Sequence, residues 1–409
     1  MLIKLAWRNL WRQKRRTLLT ASALALALLL SLLMRSIQEG SYTANIENAA
    51  RLSTGLIQLQ NPEFKESQSI DDLLPMSDDF IKPTKQQPNI EFALPRIETF
   101  SLAAANDKSK GVMVVGVDPT PETAYSGLAN KVVKGSYFSS DDKAILISEG
   151  LAQFFNLTLG DEVVLYGQGY RGQTAAGLYL IKGIVHFPMP ELNNQLIYLP
   201  IKEASHLFST EDQVTAWVLH TRDFSQLSQT VDDLQIGYGS NVAVRPWNDL
   251  SPEMEQQIQI DRVSGIIMMY ILYGIVGFGL FATLLMMTLE RQREFGVMLA
   301  TGMVRVKLLK LLVLESLFIG LLGIAIGLVI AIPILGYLYI NPITLSGDTA
   351  QAMLEMGYEP IIPVLISSGL FIDQIVIIIG LLLLCLIYPL WRIYHLSIVS
   401  ALKGGSHAG

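Results

Sequence analysis

Few residues in this chain are arranged for covalent chemistry. The five histidines, His186, His206, His220, His395 and His407, lack the spacing that a metal ion asks of imidazole ligands. Cys385 is the only cysteine, which excludes an intrachain disulfide, a cysteine zinc site and a redox pair. No G-x-x-x-x-G-K-S/T loop cradles a nucleotide phosphate, no G-x-G-x-x-G follows a strand, and no H-E-x-x-H is present. The expectation is a chain that is not an enzyme and holds no metal or cofactor of its own, so any energy-driven work borrows nucleotide chemistry from another subunit. What stands out instead is charge set against an apolar run, in "LERQREFGVMLATG", Leu289 to Gly302. Glu290 and Glu294 are four apart and share a helical face, with Arg291, Arg293, Phe295, Gly296, Val297, Met298 and Leu299 interleaved and a break near Gly302. Such a segment is either the solvated flank of a membrane span or a docking surface for a second protein. Further on, Glu315 and Asp373 lie in apolar sequence, where a carboxylate is costly. Lys307, Arg305 or a residue of the amino-terminal helix is the expected partner of Glu315.

The elements that position these residues are membrane spans. A chain of 409 residues that is 51% hydrophobic and 16% charged lies outside the soluble range. Four runs reach the length needed to cross a bilayer: residues 17–37, 264–289, 308–340 and 369–391. The first is read as an uncleaved span rather than a signal peptide, because its apolar run continues to Ile37 past its small residues. Lys4, Arg8, Arg12 and Arg16 recur every four positions, so residues 1–16 read as an amphipathic helix at the interface.

Basic residues orient the spans. Segments 1–16, 290–310 and 392–409 hold 13 of the 30 Lys and Arg residues and face one side only if there are four spans. Both termini are then cytoplasmic, residues 290–307 are a cytoplasmic element, and 341–368 is a short outer loop. Residues 38–263 carry 29 acidic against 16 basic residues and form a large extracytoplasmic domain. The net charge of −6 argues against nucleic acid as a partner.

Within that domain "GLIQLQ", "GVMVVGV", "KAILIS", "DEVVLYG", "LYLIKGIV", "NQLIYL" and "TAWVLH" read as strands. "SEGLAQFFN", "IKEASHLF" and "DFSQLSQTVDDL" have helical spacing, so the fold is α/β with mixed strand directions. Residues 61–89, with four prolines, read as a loop or small subdomain. In the third span Gly323 and Gly327 form a G-x-x-x-G pair that serves either packing within the chain or dimerisation.

"LERQREFGVMLATGMVRVKLLKLLVLESLFIGLLGIAIGL" resembles the core of the FtsX-like permeases of type VII ABC transporters, the group of MacB and of the LolC and LolE lipoprotein-releasing permeases. Glu290, Arg291, Glu294, Phe295, Gly296, Gly302, Glu315, Ser316, Gly320 and Gly323 stand where that family has its characteristic residues. "AWRNLWRQKRRTLLT", "YPLWRIYHLSIVSALKG" and, in the insert, "VMVVGVDPTPE", "AILISEGLA" and "LGDEVVLY" extend the resemblance over nearly the whole chain.

The resemblance implies an α-helical membrane protein with four transmembrane helices and a large α/β domain, the MacB-type periplasmic core, inserted between helices 1 and 2. It implies a permease subunit of the bacterial inner membrane, paired with itself or a related permease above two cytoplasmic ABC ATPases that bind ATP and Mg. Residues 290–302, Arg293 among them, would enter the ATPase groove, and the second and third spans would pass its closure to the periplasmic side as a lever. Size and topology match LolC and LolE, so the implied work is extraction or release of lipoproteins or similar amphiphiles. FtsX-like control of periplasmic partners and MacB-like efflux of peptides or drugs are the alternatives. An amphiphile among the membrane lipids would meet Met34, Ile37, Ile266 and Met269. A periplasmic lipoprotein chaperone would engage "GQGYRGQTAAG", with Gly167, Tyr170, Arg171 and Gly177, although this segment lacks the proline of the corresponding LolC hook.

Overall fold

The computed structural model describes residues 2–12, 14–355 and 360–397; most of the tail expected at 392–409, including Lys403 and His407, lies outside the described residues. The chain divides into two compact units, one of residues 1–42, 257–343 and 361–409, the other of 43–256 and 344–360.

Among the described residues the first unit is built from α1 (Leu2–Arg12), most of α2 (Lys14–Leu52), most of α3 (Pro252–Glu290), α4 (Gln292–Ala300), α5 (Arg305–Ile340) and α6 (Ser368–Tyr394). Of these, α2, α3, α5 and α6 are long and apolar enough to cross a membrane. Two of them outrun the spans read from sequence. No residue stops α2 at Ile37, and it continues until Ser53, Thr54 and Gly55, where the glycine takes φ +77°. Proline starts α3 at 252, where its missing N–H costs nothing. Residues 38–52 and 252–263, expected in the α/β domain, are therefore helical extensions, because apolarity marks what lipid covers and not where helical hydrogen bonding ends. The amphipathic helix expected over 1–16 corresponds to α1 and the first residues of α2, with Gln13 outside the described residues, and the loop expected at 341–368 contains a helix, Asp348–Glu355.

Leu24, Leu28 and Leu32 of α2, Tyr273 and Leu280 of α3, Ile324 of α5 and Ile378 and Leu382 of α6 share one buried cluster. Gly323 and Gly327 let α5 approach α2 closely. A Cβ on Gly323 would sit 2.9 Å from the Ala21 carbonyl oxygen, and one on Gly327 would sit 3.1 Å from that of Ala25. The G-x-x-x-G pair thus serves packing within the chain.

The second unit holds a ten-stranded mixed sheet. Its strands are β1 (Ile57–Gln60), β2 (Ile90–Ala105), β3 (Lys108–Val117), β4 (Val132–Gly135), β5 (Ala144–Ser148), β6 (Glu162–Gln168), β7 (Thr174–Val185), β8 (Leu196–Pro200), β9 (Ala216–Thr221) and β10 (Ala243–Pro246). The order is β10-β1-β9-β2-β3-β8-β5-β7-β4, while β6 bridges β7 and β2. Hydrogen bonding therefore closes a ring, β2-β3-β8-β5-β7-β6. The 16-residue β2 makes this possible: one edge bonds β9 along Ile90–Arg96 and β6 along Leu102–Ala104. Closure removes an open edge and packs Ile97, Ala103, Val112, Ile147, Leu165 and Tyr179 out of water. Strands β2, β4 and β10 are additions to the sequence reading, and the 61–89 segment contains the helices Phe64–Ser67 and Asp78–Lys85. At the root of β2, Arg96 and Glu122 form a buried pair at 2.7 Å.

Candidate functional site

The charged segment after α3 folds as α4, and one of its charges, Arg291, is turned inward. Arg291, between α3 and α4, is buried; its Nη1 donates to Glu315 Oε2 in α5 and its Nη2 to Glu315 Oε1 at 3.3 Å. Asn9 of α1 donates to the same carboxylate at 2.6 Å, so Glu315 is satisfied by three donors. The expected partners Lys307 and Arg305 are not used; Arg305 donates instead to the Tyr394 carbonyl of α6. A carboxylate in apolar surroundings persists only with such partners.

Around this core lies an outer layer. Arg12 of α1 pairs with Glu294 of α4, Arg16 of α2 pairs with Glu290 of α3, and Arg291 Nε also reaches Glu294 Oε2 at 3.2 Å. Phe295 is buried with Leu299, Leu308, Leu312 and Ile393, and the Arg291 guanidinium lies over its ring at 5.1 Å. Gly296 is also buried. Gly302 ends the segment with φ +95°, a conformation that favours glycine, and its N–H bonds the Leu299 carbonyl at 3.1 Å.

The seven residues expected to face a partner therefore separate. Arg291, Phe295 and Gly296 face inward, which corrects their reading as surface, because an arginine beside a buried carboxylate gains more from that pair than from solvent. Glu290 and Glu294 are half-exposed and already paired, while Arg293 and Gly302 are exposed together with Val297, Ala300, Thr301 and Val304. This outward set is a mixed apolar and cationic surface, held by pairs to α1, α2 and α5.

The other candidates are rearranged as well. Met269 belongs to the buried helix cluster, Met34 and Ile37 pack against it, and Ile266 alone of the four is exposed. The outward face of α3 is instead Ile267, Tyr270, Ile271, Ile275 and Phe278. Sequence reading passed over a polar cluster between α2 and α3, in which Arg35 pairs with Glu39 at 2.9 Å and Arg262 with Glu39 at 3.1 Å. The i, i+4 spacing of Arg35 and Glu39 was its available signal. Asp373 is exposed, and the buried polar residue of α6 is its neighbour Gln374, which accepts from the Tyr273 hydroxyl.

In the second unit the expected hook narrows. Gly167 pairs with Ala175 and Gly177 with Leu165, so both belong to the β6-β7 ladder and only Gly169 to Gln173 turn. Arg171, at φ 54°, donates its N–H to Asp71 Oδ1 at 2.6 Å and lays its guanidinium over the Tyr170 ring. Below the turn the outer face of β2, β6 and β7 exposes Phe100, Leu102, Val164, Tyr166, Leu178 and Leu180. The register sets Leu102 beside Tyr166 and Val164 beside Leu178, so this is one contiguous apolar patch, the mark of an interaction surface.

Residues 17–236 match the family described as MacB-like periplasmic core domain, and residues 266–398 match the FtsX-like permease C-terminal family. The lipoprotein-releasing system transmembrane protein LolC of Neisseria meningitidis is 21% identical over 256 residues, covering 60% of this chain and 61% of its own. Its counterpart LolE of Haemophilus influenzae is 23% identical, with 61% and 62% covered. The chain thus spans about three fifths of the length of these curated relatives. The pyoverdine export ATP-binding/permease protein PvdT of Pseudomonas entomophila is 24% identical over 372 residues, which is 84% of this chain and 53% of that one.

Proposed function

Since this chain belongs to the family built on a MacB-like periplasmic core domain, here followed by an FtsX-like permease C-terminal region, we propose that it is the permease subunit of an ABC transporter. It sits in the bacterial inner membrane with both termini cytoplasmic and works over ATPase subunits that bind ATP and Mg. The observation that carries this reading is the mounting of α4. Its inward residues are fixed to α1 and α5 through Asn9, Arg291 and Glu315, while Arg293, Val297 and Thr301 face out. A short helix held rigidly and presenting one mixed face suits the docking of an ATPase, and movement imposed on it is handed to α3 and α5. The ATPase partner supplies the phosphoryl chemistry.

The work done on the outer side is the release of lipoproteins or similar amphiphiles, by force passed through the helices. Likeness to LolC and LolE supports this, as does the exposed apolar face of α3. A second permease subunit completes the assembly, and the β2-β6-β7 patch with the Gly169–Gln173 turn offers a periplasmic protein a surface. Export of a small molecule is the second reading, favoured by the longer alignment with PvdT. Depletion of the chain in its host separates the two: lipoproteins stranded in the inner membrane support release, whereas normal lipoprotein sorting with loss of a secreted compound supports export.

A further inference from the structure

At the end of the first unit where α1 meets α2, a cavity of about 380 Å³ opens between α1, α2 and α5. Leu10, Trp11, Leu18, Leu322 and Ile326 make its wall, and Lys14 and Arg15, both exposed, stand at its edge. The Thr17 hydroxyl in the lining donates to the Leu10 carbonyl at 3.1 Å and so is satisfied within the chain. The interior is therefore hydrocarbon in character, and all the charge is at the mouth.

That charge is unspent. Arg12 and Arg16 pair with Glu294 and Glu290, whereas among the described residues no carboxylate lies within ion-pair distance of Lys14 or Arg15. Trp7 and Trp11 are half-exposed beside them, as aromatic residues are where a bilayer meets water. We propose that this cavity binds one phospholipid with an anionic headgroup. An acyl chain lies against Leu18, Leu322 and Ile326, and the phosphate sits at Lys14 and Arg15. A basic pocket between membrane helices beside an apolar wall is what an acidic headgroup recognises. A zwitterionic lipid fills the wall but brings its own cation to the mouth. A second copy of the chain is disfavoured by charge, since the exposed groups at this end, Lys4, Arg8, Arg15, Arg293 and Lys307, are all basic.

The full chain, purified in neutral detergent, tests this by native mass spectrometry with phosphatidylglycerol and phosphatidylcholine of identical acyl chains. One phosphatidylglycerol is expected to be retained roughly tenfold more than phosphatidylcholine. Lys14→Gln with Arg15→Gln brings the two lipids to equal retention, while Arg8→Gln, which removes an exposed cation outside the cavity, leaves the preference intact. Ile326→Trp, which fills the wall, removes the retained lipid altogether. Because the rim side chains are exposed, their variants fold, and monodispersity on size exclusion verifies it. Equal retention of the two lipids by the unmodified chain overturns the proposal, as does a preference that survives the rim double variant or falls equally with Arg8→Gln. Ile326→Cys in a Cys385→Ala background that cross-links to a second chain at full yield with phosphatidylglycerol present would also overturn it.

Discussion

Arg291 and Glu315, 24 residues apart, form a buried ion pair that joins the start of α4 to the interior of α5. Asn9 of α1 closes the arrangement by donating to the same carboxylate. Removing one member of such a pair leaves an uncompensated buried charge, at a cost of about 3–5 kcal/mol. Glu315→Gln is expected to lower the unfolding free energy in detergent by that order, and Glu315→Leu with Arg291→Met to recover most of it. Equal loss in the single and double variants would mean that the pair does not act as a unit.

The outer pairs behave differently. Glu294 and Glu290 are more than a third exposed, so their pairs with Arg12 and Arg16 are each worth about 1 kcal/mol or less. A double-mutant cycle with Arg12→Gln and Glu294→Gln is expected to give a coupling in that range that fades as salt rises. A coupling of several kcal/mol, insensitive to salt, would place this pair in the buried class.

Close approach of α5 to α2 rests on Gly323. A side chain there meets the Ala21 backbone, which cannot rotate away. Gly323→Val is expected to destabilise the chain by about 1–3 kcal/mol. Gly336, whose Cβ would meet nothing within 4 Å, tolerates the same change apart from helix propensity. Unfolding titrations of both variants in detergent decide the matter; a similar effect at both glycines would remove the packing argument.

Much of this architecture was legible in the residues. Four apolar runs gave four helices, and short runs rich in β-branched residues such as "KAILIS" gave strands, because a strand covered on both faces reads as a continuous apolar run. What escaped were features set by partners distant in sequence. Nothing local says that Arg291 turns toward Glu315 rather than solvent, or that β2 spends one edge on two strands. The buried pair of Arg96 with Glu122 is the same kind of case, since each residue alone reads as an ordinary surface charge. Helix ends were misjudged for another reason: α2 and α3 continue through polar sequence that favours helix.

His220 links the domain's stability to protons. Burial, followed by the charge of Arg51, holds His220 down at about 4, and its ring stands 3.5 Å from the Tyr125 hydroxyl. The unfolded chain binds this proton near pH 6.5. The neutral form therefore contributes stability in full above pH about 6.5, and that stability is lost as pH falls toward 4. The loss amounts to about 3 kcal/mol at most. Asp142, held at about 2 by hydrogen bonds from Lys182 and Ser139, loses its contribution only below the carboxylate range and so does not share this window. Denaturant midpoints of the full chain between pH 7 and 4 are expected to fall, and to fall less steeply in His220→Gln. An identical slope in the variant would assign the acid sensitivity elsewhere.

The central claim is that α4 meets an ATPase through its outward face while its inward face only holds it in place. Affinity capture of ABC ATPase subunits with the permease, from membranes carrying each variant, tests it directly. Arg293→Glu with Val297→Asp, both exposed and without a partner role in the fold, is predicted to lower recovery of the ATPase at least tenfold while the permease itself is recovered at its normal level. Recovery at the unmodified level from that variant would contradict the account.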